Sequence, residues 1–198
     1  KIFFASELYG LWELDLNTNA VSRPGDRSPQ LAPLNELKYP RNMLAQGDSI
    51  LWISCVGAVL KYDLIKGTLD FFKTKQGQDN SGAAEVWGIS FGKDGHLWVV
   101  PRDARLLKMS PATGNFSVYL DKEGNAPLKA QPSFILCSRD GTIWVGTTVA
   151  GLFRIKTESG ETRQYTANPG DPAGFNSNHI SCIHEDEAGL LWVGTMEG

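Results

Sequence analysis

Gly141-Thr142-Ile143-Trp144-Val145-Gly146-Thr147 decides the fold, because the same stretch returns along the chain. It recurs as Gly189-Leu190-Leu191-Trp192-Val193-Gly194-Thr195, as Gly95-His96-Leu97-Trp98-Val99-Val100 and as Ser49-Ile50-Leu51-Trp52-Ile53-Ser54. The four tryptophans lie 46, 46 and 48 residues apart. Each stretch follows a turn, namely Gly47-Asp48-Ser49, Lys93-Asp94-Gly95, Arg139-Asp140-Gly141 and Glu187-Ala188-Gly189. The two Asp-Gly pairs are strong hairpin signals. The N-terminus keeps this register through a phenylalanine. A shift of 141 residues lays Gly10-Leu11-Trp12-Glu13-Leu14 on Gly151-Leu152-Phe153-Arg154-Ile155 and Phe3 on Trp144. Phe3 is therefore the fifth anchor, and Trp12 belongs to the strand after it.

Outward from each anchor the repeat reads as four strands. Phe134 to Cys137 and Ile180 to Ile183 lead into the turn. Leu152 to Ile155, Val59 to Tyr62 and Leu106 to Met109 follow the anchor strand. Thr162 to Tyr165, Leu69 to Phe72 and Phe116 to Tyr119 make the fourth strand. No segment carries a convincing helical period. Four short antiparallel strands per ~40–50 residues describe an all-β chain of β-propeller blades. Blades stack face to face, so an anchor strand covered on both sides can be apolar at nearly every position. Gly146 suits a close approach of the neighbouring blade. The span 1–198 holds about four repeats, anchored at Phe3, Trp52, Trp98, Trp144 and Trp192. A closed four-blade ring fits the length. The expectation is a piece of a larger ring, incomplete at both ends.

Composition narrows the function classes. The 198 residues carry 19 basic and 22 acidic side chains, a net charge of −3, with no basic stripe. That argues against a nucleic-acid binder. No stretch approaches the ~18 apolar residues of a spanning helix. The 21 glycines, about 11% against a usual ~7%, fit many turns. Cys55, Cys137 and Cys182 form no C-x-x-C pair, so a zinc knuckle is not expected. They read first as small buried apolar residues, with one disulfide left open. The residues from Lys1 onward assign no compartment.

The run from Asn168-Pro169-Gly170-Asp171-Pro172 through Asn176-Ser177-Asn178-His179-Ile180 to Trp192-Val193-Gly194-Thr195 closely resembles the two-component regulator propeller repeat. Arg139 to Arg154 is a second good match. The blades around Trp52 and Trp98 match less well, because Ser54-Cys55 and Val100-Pro101 replace the Gly-Thr after tryptophan. The resemblance implies a large, often seven-bladed propeller. It further implies the periplasmic sensor of a Bacteroides-type hybrid two-component receptor. Such a sensor recognises a glycan fragment and controls transcription of polysaccharide-utilisation genes, with any kinase elsewhere in the receptor. The implied partners are an oligosaccharide and the remaining blades of the receptor. Open blade faces add self-association, a homodimer included.

No catalytic constellation, metal site or cofactor site is expected. His179 and His184, five apart, point to opposite faces if they share a strand. His96 reads as a solvated strand start. Asp15-Leu16-Asn17-Thr18-Asn19 mimics a calcium loop, but Ala20 and Asp26 break it, and in repeat register it is a turn. No G-x-S-x-G elbow is present. A propeller lyase or glycosidase and a protein-interaction propeller remain as rival readings, since fold does not decide function.

Recognition falls to the loops, which a rigid sheet holds in place. Loops between strands two and three hold Glu7 and Tyr9, then Arg102, Asp103 and Arg105, then Thr148 and Glu197. Blade-to-blade connections hold Tyr39 and Arg41, then Trp87, then Asn178 and His179. Tyr39, Arg41, Trp87, Arg102 and Asp103 are the candidate contacts for a glycan-like ligand. An aromatic face stacks on a sugar ring, while an arginine fork and a carboxylate meet hydroxyls or acidic groups. Trp87 reads equally as a packing residue under a loop, and Arg102 with Asp103 as a solvated pair.

Overall fold

Each anchor strand is entered through one recurring turn. Backbone bonds run from Gly92 N to His96 O, from Ser138 N to Thr142 O and from Asp186 N to Leu190 O. Gly95, Gly141 and Gly189 take the last turn position at φ 77°, 89° and 82°, where a residue with a β-carbon is strained. Asp94 and Asp140 accept from the backbone N–H two residues on, at 3.1 and 2.8 Å. These bonds tie the turn to the strand that carries the tryptophan.

The computed structural model describes residues 1–74, 85–168, 170, 171 and 174–197. Pro169 and Pro172 of the repeat motif, and the final Gly198, lie outside the described residues. Among the described residues the helices are two short 3-10 turns, Pro24–Asp26 and Ala32–Glu36. The chain divides into two compact units, residues 1–86 and 87–198.

The first unit holds two antiparallel sheets. One contains β1 (Ile2–Ser6), β2 (Gly10–Leu14) and β3 (Val21–Ser22). The other contains β4 (Asn42–Gln46), β5 (Ile50–Cys55), β6 (Ala58–Asp63) and β7 (Thr68–Lys73), in chain order. Phe3 lies opposite Glu13 and Trp52 opposite Lys61, the register expected of repeat equivalents. The core forms where Phe3 and Ala5 of one sheet meet Leu51, Ile53, Leu60 and Tyr62 of the other. Glu13 stands where the other repeats have Lys61, Lys108 or Arg154. It is buried, and it accepts from Lys1 Nζ at 3.1 Å and from Arg27.

The second unit holds three sheets. The first contains β8 (Val86–Phe91), β9 (Leu97–Pro101), β10 (Leu107–Met109) and β11 (Phe116–Val118). The second contains β12 (Pro132–Cys137), β13 (Ile143–Thr147), β14 (Leu152–Lys156) and β15 (Glu161–Tyr165). The third pairs β16 (Ile180–Glu185) with β17 (Leu191–Thr195). Successive sheets stack. Trp98 and Val100 pack on Ile143, Val145, Phe153 and Ile155, and Trp144 packs on Ile183, Leu191 and Val193. A β-carbon on Gly146 would sit 2.6 Å from Ile180 Cγ2, so the expected close approach is real. Polar ties cross the same stacks: Ser133 Oγ donates to Ile180 O at 2.5 Å and Lys93 Nζ to Asp140 O at 3.2 Å. Arg139 Nη1 donates to Glu187 O at 3.0 Å. The repeat is thus a four-stranded antiparallel propeller blade, and the chain is all-β.

The anchors occupy equivalent places, but they are not equally buried as the repeat predicts. Trp52 and Trp98 are buried and Trp144 is half-buried, whereas Trp192 is 62% exposed. The cause is local. Phe72, Tyr119 and Tyr165 from fourth strands lie 5.8, 5.6 and 6.1 Å from Trp52, Trp98 and Trp144. Among the described residues no third or fourth strand pairs with β17. The cysteines also divide. All three are free thiols, so the disulfide option is not taken up, and only Cys55 is fully buried, with its thiol pushed up to about 11 by burial. Cys182 is exposed, against the expectation of burial.

Candidate ligand-contact loops

The loops joining second to third strands are set by one residue each in left-handed backbone: Gly10, Gly57, Ala104 and Gly151, at φ 70°, 73°, 63° and 76°. Glycine is required at two of them by space as well. A β-carbon would fall 2.3 Å from Leu34 O at Gly10 and 2.1 Å from Tyr165 O at Gly151. The same loops meet the blade-to-blade connections at one end of each sheet. Val56 N donates to Lys38 O, Thr148 N to Gln131 O and Met196 N to His179 O, three repeats of one bond. Gly151 N donates to Asn178 O, and Asn176 Nδ2 to Glu197 O.

In the first unit Tyr39 and Arg41 come together. The Arg41 guanidinium lies 5.4 Å from the Tyr39 ring centroid. It is set between two carboxylates, Glu7 Oε1 at 2.7 Å and Glu85 Oε2 at 3.7 Å. The Tyr39 side holds a positive φ of 49° and is 43% exposed. Planar cation over aromatic face is a stable arrangement that leaves the ring edge open to solvent. Glu85 escaped the sequence reading, because it pairs only through the isolated bridge of its backbone to Val56.

In the second unit Trp87 lies within β8 rather than in a connection, and it is half-buried. Arg102 and Asp103 are both exposed in the β9–β10 loop. Asp103 does not pair with Arg102. It takes Arg105 instead, through Nε at 2.8 Å and Nη2 at 2.7 Å, and its Oδ1 accepts the Arg105 backbone N–H at 3.3 Å. Between these two partners stands Ala104, the strained residue. The sequence held the signal for it: with third strands aligned, Ala104 falls where Gly10, Gly57 and Gly151 stand.

The opposite sheet ends are closed on themselves. A groove of about 320 Å³ is lined by Trp98, Lys108, Tyr119, Lys93 and Glu158. Its charges pair internally, Lys93 with Glu158 at 3.1 Å and Lys108 with Asp94 at 2.6 Å. The calcium-like stretch is a turn: Asp15 Oδ1 accepts from the N–H groups of Asn17 and Thr18 at 2.9 and 3.2 Å, which holds its carboxyl below the usual range. Asp63 makes the equivalent turn.

These blades and loops define a propeller built on regulator-type repeats. Residues 174–197 match the two component regulator propeller family, and the chain carries a repeat of that family. The extracellular domain of BT4673 from B. thetaiotaomicron, described as a hybrid two-component system, superposes with a TM-score of 0.77 at 14% identity, covering 98% of this chain and 24% of that one. That of BT3049 from the same organism gives 0.66 at 17%, covering 98% and 23%. A virginiamycin B lyase from Staphylococcus aureus, an inactive variant with quinupristin, gives 0.65 at 18%, covering 96% and 61%. The chain spans about a quarter of the length of the two extracellular domains. No curated protein sequence matches it.

Proposed function

We propose that this chain is part of the extracytoplasmic, periplasmic sensor propeller of a hybrid two-component receptor. In this reading its five repeats belong to one propeller segment spanning 1–198. It recognises a glycan fragment and so controls transcription of polysaccharide-utilisation genes. The contacts are Tyr39 and Arg41 in the first unit and Trp87, Arg102 and Asp103 in the second. The observation that carries the reading is the Tyr39–Arg41 pair, braced by Glu7 and Glu85 at the loop end of the blades. It offers a flat apolar surface beside a forked donor, as a sugar ring with polar substituents requires. The regulator-type repeat and the receptor domains of like fold favour a sensing role.

A second reading, a propeller lyase, is favoured by the fold likeness to virginiamycin B lyase. A thermal-shift screen against oligosaccharides separates the two, followed by product analysis of every hit. A ligand that prefers the folded state raises the melting temperature. Sensing predicts a hit recovered unchanged, weakened by Tyr39→Ala or Arg102→Ala with little loss of Tm. Cleavage of the hit would support the enzyme, and no hit among oligosaccharides would count against glycan recognition.

A further inference from the structure

One blade-to-blade interface occurs three times in this protein. In each case the face carrying the anchor residue is covered by alternate residues of the next blade's second and third strands. Phe3 and Ala5 are covered by Leu51, Ile53, Leu60 and Tyr62. Trp98 and Val100 are covered by Ile143, Val145, Phe153 and Ile155. Trp144 is covered by Leu191 and Val193, with Ile180 and Ile183 of the strand before them. The covering residues are repeat equivalents, since Leu51 and Ile53 precede Ile143 and Val145 by 92 residues.

Both halves of this interface also occur unpaired. The β16–β17 sheet presents the anchor face, with Trp192 62% exposed and Cys182 and His184 exposed beside it. The β1–β2–β3 sheet presents the covering face. By the shift of 141, Ile2, Phe4, Trp12 and Leu14 are the equivalents of Ile143, Val145, Phe153 and Ile155. Ile2 is 50% and Phe4 42% exposed, and the Phe4 and Trp12 rings stack at 6.4 Å into one flat apolar surface. Contiguous exposed apolar surface of this kind marks an interaction site.

We propose that the anchor face of β16–β17 docks on the covering face of β1–β2–β3 of a second copy of this chain. The occupant follows from continuity with the three interfaces already formed, which join the same two surfaces. The contact is heterologous, because the two faces differ, and it propagates head to tail. Trp192 seats between Ile2 and the Phe4–Trp12 stack, as Trp98 seats on Ile143 and Phe153.

The test uses the full chain in sedimentation velocity over a range of concentrations. The wild type should associate reversibly beyond a dimer as concentration rises. Trp192→Asp removes one face and Phe4→Asp the other, so each alone should sediment as a monomer, with association weakened more than about tenfold. An equimolar mixture of the two variants should form a dimer and stop there, because one intact face of each kind remains. Ile2→Asp serves as a second covering-face variant, and far-UV circular dichroism checks that all three fold. A wild type that stays monomeric overturns the proposal. So does association of Phe4→Asp alone, which would indicate contact between two anchor faces, or a mixture that stays monomeric.

Discussion

Ala104 carries a β-carbon in a backbone conformation that the other loops of its kind give to glycine. An L-residue there costs roughly 1–2 kcal/mol, against a gain of ~0.4–1 kcal/mol from restricting the unfolded chain. Ala104→Gly should therefore stabilise the protein by about 0.5–1 kcal/mol in chemical denaturation. Strain of this kind persists where the surroundings hold it, and here the Asp103–Arg105 pair closes over it. Lower stability for Ala104→Gly would mean that the loop is relaxed as it stands. At this scale the sequence was partly legible. Tyr39 and Arg41 could be named from residue type and position alone. The pairing of Asp103 with Arg105 could not, because it depends on how a left-handed residue redirects the chain between them.

At the scale of the element, the anchor strands test the repeat. Trp98 is buried under the next blade and edged by Tyr119, whereas Trp192 has neither cover. Trp98→Ala should cost about 3–5 kcal/mol, as for a large buried aromatic. Trp192→Ala should stay within ~0.5 kcal/mol, as at an exposed site. Urea denaturation of the two variants checks this, and equal losses would contradict the packing described here. The strands, the turns and the anchor register were readable because a period of 46–48 residues repeats the same local chemistry. Burial was not readable from one repeat to the next. It depends on which neighbours a blade has, and Trp192 matches Trp144 in sequence while differing in cover. Glu13 was equally hidden, since an acid at a basic position makes sense only with Arg27 and Lys1 around it.

For the whole molecule, the recurring Asx turns set the response to acid. Asp15, Asp63, Asp140 and Asp186 are held below 3.8 in the folded state, chiefly by backbone N–H donors at the first three and by the Trp192 indole N–H at Asp186. A carboxyl with a depressed folded pKa stabilises above its unfolded value, and that contribution is lost as pH falls through the folded pKa. Stability should therefore be level from neutral pH to about 5 and decline below about 4. Melting temperatures across that range check the sign, and a rise in Tm below pH 4 would contradict it.

The account's central claim is that the loop ends of the blades, and not the charge-paired turn ends, contact a glycan. Hydrogen exchange with and without the best oligosaccharide from the thermal screen tests it most directly. The prediction is slowed exchange in segments 38–41 and 101–105 and none in turns 92–96, 138–142 and 186–190. Protection confined to those turns, or absent everywhere under saturating oligosaccharide, would contradict it.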